Sequence, residues 1–63
     1  MEIGQKVKVI RLRDRVSSSI AEKLGKVGII EGYKVTDGAG IGVVVKFDDD
    51  FSTWFFKDEI KIA

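Results

Sequence analysis

Arg11, Arg13 and Arg15 alternate through the segment RLRDR, so an extended backbone would turn all three guanidinium groups to one side. A guanidinium is planar and makes paired hydrogen bonds to carboxylates and phosphates; such a row suits an acidic protein surface, lipid headgroups or RNA. A solvated strand edge, salted by Asp14 and Glu22, is the plainer reading, because exposed charges are individually weak. The second group is aromatic. Phe47, Phe51, Trp54, Phe55 and Phe56 crowd one short segment, and most of them must build a core. In a strand Trp54 and Phe56 share one face while Phe55 takes the other, so one parity packs inward and the other stays partly exposed. Either Trp54 or Phe55 could then anchor an interface, since large aromatics often dominate binding energy.

The stretch Thr36 to Gly42 (TDGAGIG) carries glycines at alternate positions, but they run into the β-branched segment VVVKF. A dinucleotide-binding loop instead opens a helix whose N-terminal amides hold the phosphate. A hairpin loop is the better reading, and Asp37, Gly38 and Gly40 could become ordered against a partner. Asp48, Asp49 and Asp50 are consecutive, so their side chains diverge; a calcium loop spaces its ligands at alternate positions around a glycine. Asp58 and Glu59 have no evident cleft to flank, which disfavours paired-carboxylate hydrolysis. Ser17 to Ser19 could supply a nucleophile only with a base, and the chain contains no His. It contains no Cys either, so disulfides, thiol chemistry and the usual zinc and iron–sulfur ligand sets are absent. No catalytic residue, metal ligand or cofactor-binding residue is assigned. The candidate partner-binding residues are Arg11, Arg13, Arg15, Asp37, Gly38, Gly40, Trp54 and Phe55.

The elements that must carry these residues are short. Gln5 to Leu12 alternates Lys6 and Lys8 with Val7 and Val9 and then shifts phase at Ile10, as a strand with a bend would. Lys26 to Lys34 reads as a second, bent strand with glycines marking a bulge or close backbone approach. Val43 to Phe47, Ser52 to Phe56 and Ile60 to Ile62 read as three more, with a turn at Asp48 to Asp50. Between the first two strands Val16, Ile20 and Leu24 recur every four residues, Ser19 precedes Glu22 at capping-box spacing, and Gly25 is placed to end a short helix. Five short strands with one long first loop, in a single domain over residues 1–63, describe an all-β, five-stranded SH3-like barrel. An OB-fold is the main competitor and usually needs more residues.

Size and charge narrow the function further. A chain of 63 residues buries one modest core and leaves little stability for a catalytic cleft with its supporting residues, so a non-enzyme is expected. No apolar run reaches the roughly 18 to 20 residues that span a bilayer, and the first residues lack a signal-peptide core. The net charge is +1, yet it is unevenly placed. Met1 to Val35 holds eight Lys and Arg against four Asp and Glu, or +4; Thr36 to Ala63 holds three against six, or −3. A surface of two signs suits docking to a particular protein better than coating a polyanion.

Three segments, IGQKVKVIRLRDRVS, LGKVGII and VTDGAGIGVVVKFDDDFSTWFFKDEI, together resemble the PetP family, small peripheral subunits of the cytochrome b6f complex of cyanobacteria and red algae. The resemblance spans nearly the whole chain, its most specific parts being RLRDRVS, the TDGxGxG loop and TWFFxDE (Thr53, Trp54, Phe55, Phe56, Asp58 and Glu59). It implies a soluble SH3-like regulatory subunit, without a cofactor and monomeric when free, on the cytoplasmic, stromal-side face of the thylakoid membrane. There it would contact cytochrome b6f subunits and modulate photosynthetic electron transport. A looser frame of Gly4, Lys6, Val7, Val9, Arg11, then Gly25, Val27, Gly28 and Ile30, then Val43, Val45 and Phe47, then Asp58, Glu59 and Ile60 is similar to the PsaE family of photosystem I, another stromal-side barrel without a redox centre. The alternative function is RNA binding. IGQKVKVI and GKVGII resemble the halves of a KOW motif, but Ile10 and Gly25 lie too far apart, and a nucleic-acid binder should be more basic than +1. No nucleic-acid partner is therefore expected.

Overall fold

A computed structural model describes the chain except for Asp14 to Ser17, Asp37 and Ala39. Its elements are β1 (Lys6–Val9), a short helix α1 (Ser18–Ala21), β2 (Val27–Thr36), β3 (Gly40–Lys46), β4 (Ser52–Phe56), a 3-10 turn (Lys57–Glu59) and β5 (Ile60–Ile62). The strands form one antiparallel sheet in the order β4-β3-β2-β1-β5. Its two edge strands, β4 and β5, are joined by the 3-10 turn alone. A flat sheet of five strands would separate its edges by about 19 Å, at about 4.8 Å per strand. The four residue steps from Phe56 to Ile60 reach at most about 14 Å. The sheet must therefore curl, and the small all-β barrel anticipated from the sequence is what this connection enforces.

Alternation sorts the side chains. Val7, Val9, Ile30, Val43, Val45, Phe47, Phe55 and Ile60 point inward as the core, with Leu12, Ile20 and Phe51 packed against it. Phe47 and Phe55 meet edge to face at 6.0 Å between ring centres. Two glycines of the sheet are places where no side chain fits. A Cβ on Gly28 would stand 2.5 Å from Val45 Cγ1 and 2.8 Å from the Lys46 carbonyl oxygen, and one on Gly42 would stand 2.7 Å from Trp54 Cε3. The expected bulge falls in β2, where the register with β3 slips between Ile30 and Gly32.

Several boundaries differ from the sequence reading. The first strand stops at Val9 rather than Leu12, because the amides of Ile10 and Arg11 turn to the Glu59 carbonyl instead of a neighbouring strand. The hairpin arms are longer than expected: β2 runs on to Thr36 and β3 starts at Gly40, so the glycine loop shrinks to residues 37–39. Local turn residues mark a loop, but the ladder from Lys34↔Gly42 to Thr36↔Gly40 captures its flanks. The helix is only Ser18–Ala21, and Ser19 lies inside it rather than capping it. Of the four-residue repeat Ile20 packs against the core and Leu24 is exposed; Val16 lies outside the described residues. Gly25 has φ 85° and donates to the Val9 carbonyl, returning the chain to β2.

Candidate functional site

On the outer face of β3 and β4, the absence of a side chain at Gly42 lets the Trp54 indole settle directly over the backbone. Phe56, two residues on, stands edge to face with Trp54 at 4.9 Å between ring centres. Both rings are half-buried. Each carries a cation: Lys34 Nζ lies 5.5 Å from the Trp54 ring centre, and the Arg13 guanidinium carbon lies 4.0 Å from that of Phe56. Arg13 is held from its other side by Asp58, with Nε 3.1 and 3.2 Å from the two carboxylate oxygens and Nη2 2.8 Å from Oδ1. A shallow open depression runs beside this stack, walled by Arg13, Gly40, Ile41, Phe56, Lys57 and Asp58. The result is an aromatic pair flanked by charge, suited to contact a partner rather than to enclose a substrate.

Beneath the surface, one carboxylate sets this geometry. Glu59 is fully buried and accepts from the Arg13 amide at 2.7 Å and from the Phe56 amide at 2.7 Å. Its carbonyl also receives the Ile10 amide at 2.8 Å. The first loop is thereby tied to the end of β4, and Arg13 is delivered to Phe56.

Arg13 holds the Asp58 carboxyl below the usual carboxylate range, chiefly by hydrogen bonding, with Coulombic help from Arg13 and Arg11. A carboxylate whose folded pKa is depressed adds stability at pH values above its unfolded pKa of about 3.9, and loses it as pH falls through the folded value. An NMR pH titration should accordingly find Asp58 titrating below an ordinary Asp, and Arg13→Gln should return it upward. An unchanged Asp58 titration in that variant would mean the pair does not form in solution. The same logic holds for Asp49, which accepts from Lys23 at 2.7 Å and from the Phe51 amide at 3.1 Å.

The anticipated site residues are redistributed. Arg13, Gly40 and Trp54 come together. Arg11 is exposed and lies outside the strands, and Arg13 contacts Asp58 and Phe56, so of the expected Arg11, Arg13 and Arg15 row the structure describes the first two members. Phe55 is corrected from interface anchor to core residue, since it is 0% exposed and packs against Phe47. Gly38 sits at the hairpin tip with φ 70°, while Arg15 and Asp37 lie outside the described residues. Lys34, Phe56, Asp58 and Glu59 were not among the anticipated partner-binding residues. The i, i+2 spacing of Trp54 and Phe56 was the signal for the aromatic pair; nothing local marks Lys34, which arrives through the β2–β3 register.

The model of the cytochrome b6f subunit family called Tsr0524-like matches residues 3–61. The chain belongs to that family. It is also 30% identical over 60 residues to the uncharacterized protein ORF65 of Porphyra purpurea, covering 95% of this chain and 92% of that one. The solution structure of the cyanobacterial cytochrome b6f complex subunit PetP is 59% identical and superposes with a TM-score of 0.94, over all of this chain and 80% of that one. This family membership agrees with the resemblance carried by RLRDRVS, TDGxGxG and TWFFxDE.

Proposed function

We propose that this chain is a non-catalytic accessory subunit that docks on the cytoplasmic face of the cytochrome b6f complex and modulates photosynthetic electron transport, with the Trp54–Phe56 stack as its anchor. Family membership supports the complex as the partner. The single observation that carries the docking surface is Trp54 seated over Gly42, half-exposed, with Phe56 beside it and Arg13 and Lys34 against the two rings. Aromatic and Arg anchors in such rigid settings are where interface energy concentrates, and here neither ring must be ordered on binding. Among the described residues no group of His, Cys, Asp or Glu could hold a metal ion, and no helix is long and apolar enough to cross a membrane. Attachment is peripheral on this reading, through protein contact.

The test is co-migration. Tagged protein added to solubilised thylakoid membranes should run with cytochrome b6f on a native gel, more weakly at higher salt because charged groups flank the anchor. Migration with photosystem I, or a tag that stays free at every salt, would contradict the proposal.

A further inference from the structure

A second surface, away from the aromatic stack, is defined by strand register. Lys8 on β1 stands directly opposite Lys61 on β5 on one side and Val27 on β2 on the other. One row along, Lys6 stands opposite Ile29, which in turn faces Lys46. Because Val7, Val9 and Ile60 point into the core, these residues share the outer face. Val27 and Ile29 are 43% and 38% exposed at its centre, and the four lysines are exposed around them. None of these positions is acidic. The border carries acidic groups with partners of their own: Asp50 approaches Lys46 at 3.6 Å, Glu31 accepts from Ser52 opposite Lys46, and Asp49, which with Asp48 and Val27 lines a depression at one end, is paired with Lys23 at 2.7 Å. Lys6, Lys8 and Lys61 form no ion pair among the described residues.

Like charges directly across a strand pair oppose pairing. A lysine on the edge strand β5 protects that edge from aggregation, which accounts for Lys61. It does not account for Lys6 and Lys8, since β1 lies inside the sheet between β2 and β5.

We propose that this face, Lys6, Lys8 and Lys61 around Val27 and Ile29, rests on anionic lipid headgroups at a bilayer surface. Ammonium groups on flexible stems are point charges without directional demand, matched to a diffuse negative plane, and stems of this length can flank an apolar centre while the charges reach outward. The face has no aromatic ring, so it lacks the stacking platform of a single-stranded RNA site and the anchor of a tight protein interface. Those features belong to the Trp54–Phe56 stack. Lipid contact is a function of its own, independent of whether that stack engages cytochrome b6f.

Co-sedimentation tests this. Wild type, K6Q/K8Q/K61Q and Trp54→Ala are each mixed at low and high salt with vesicles of phosphatidylglycerol and phosphatidylcholine, or of phosphatidylcholine alone. Wild type is expected to bind only the anionic vesicles and to release at high salt. The triple variant should weaken by roughly a hundredfold, at about fivefold per lysine, while Trp54→Ala binds as wild type does. The lysine variant should keep a folded NMR spectrum, since it removes repulsion and no packed group. Equal binding to neutral vesicles, no binding to anionic ones at low salt, or undiminished binding by the folded triple variant would overturn the proposal. Binding of polyuridylate or polyglutamate through the same lysines, without vesicle binding, would likewise overturn it and give the face to RNA or an acidic protein.

Discussion

Replacing Glu59 by Ala is expected to cost about 2 to 4 kcal/mol of stability or more, since among the described residues alone it removes two charge-assisted hydrogen bonds worth about 1.5 to 3 kcal/mol each before local relaxation. The carboxylate is the acceptor for the Arg13 and Phe56 amides, 46 and 3 residues away in sequence, and it does so from a fully buried position. A domain of this length holds only about 3 to 9 kcal/mol in all, so the variant should melt lower by about 10 °C or more. Glu59→Gln should lose less than Ala but still be weakened, because its amide nitrogen meets one backbone N–H donor with another donor. Urea unfolding gives the number, and hydrogen exchange at Arg13 and Phe56 shows whether the loss is local. Stability within about 0.5 kcal/mol of wild type in Glu59→Ala would show that the carboxylate does not hold the first loop, since that is the scatter of ordinary surface substitutions.

Phe55→Ala should be at least as damaging, at about 3 to 5 kcal/mol, the usual range for removing a buried phenyl ring. Phe55 is 0% exposed, pairs with Val43 across β3 and β4, and packs edge to face on Phe47. Much of the chain would be unfolded at room temperature. The contrast with its neighbour is the informative part. Trp54 points to the other face, so Trp54→Ala should leave a folded protein. A calorimetric scan of the two variants separates core from surface along one strand; a Phe55→Ala protein melting near wild type would reverse that assignment.

The fold was legible where alternation and β-branching were strong. Ser52 to Phe56 and Ile60 to Ile62 have the boundaries expected from the sequence, since each is closed by charged or turn residues. The β2–β3 hairpin was underestimated because Gly40 and Gly42 read as loop by local chemistry, whereas the ladder and the indole above Gly42 make them strand. The first strand was overestimated for the opposite reason: Ile10 to Leu12 looks extended, but the Glu59 carbonyl, far along the chain, draws the amides of Ile10 and Arg11 away.

The candidate site was half visible. Trp54 on the face opposite Phe55 follows from strand alternation, yet which face is inward depends on how the sheet curls, and alternation alone is compatible with both. The alternation of RLRDR points to Arg13 as one of a row, but its setting comes from Asp58 and Glu59, 45 and 46 residues further on. Contacts at that separation leave no local trace.

Trp54 as the docking anchor is the central claim, and the affinity of purified cytochrome b6f complex for wild type and for Trp54→Ala is its most direct test. With the variant shown to be folded by its NMR spectrum and melting curve, binding should be weakened by about thirtyfold or more, the loss of an anchor worth about 2 kcal/mol. A folded Trp54→Ala protein that binds the complex as tightly as wild type would contradict it.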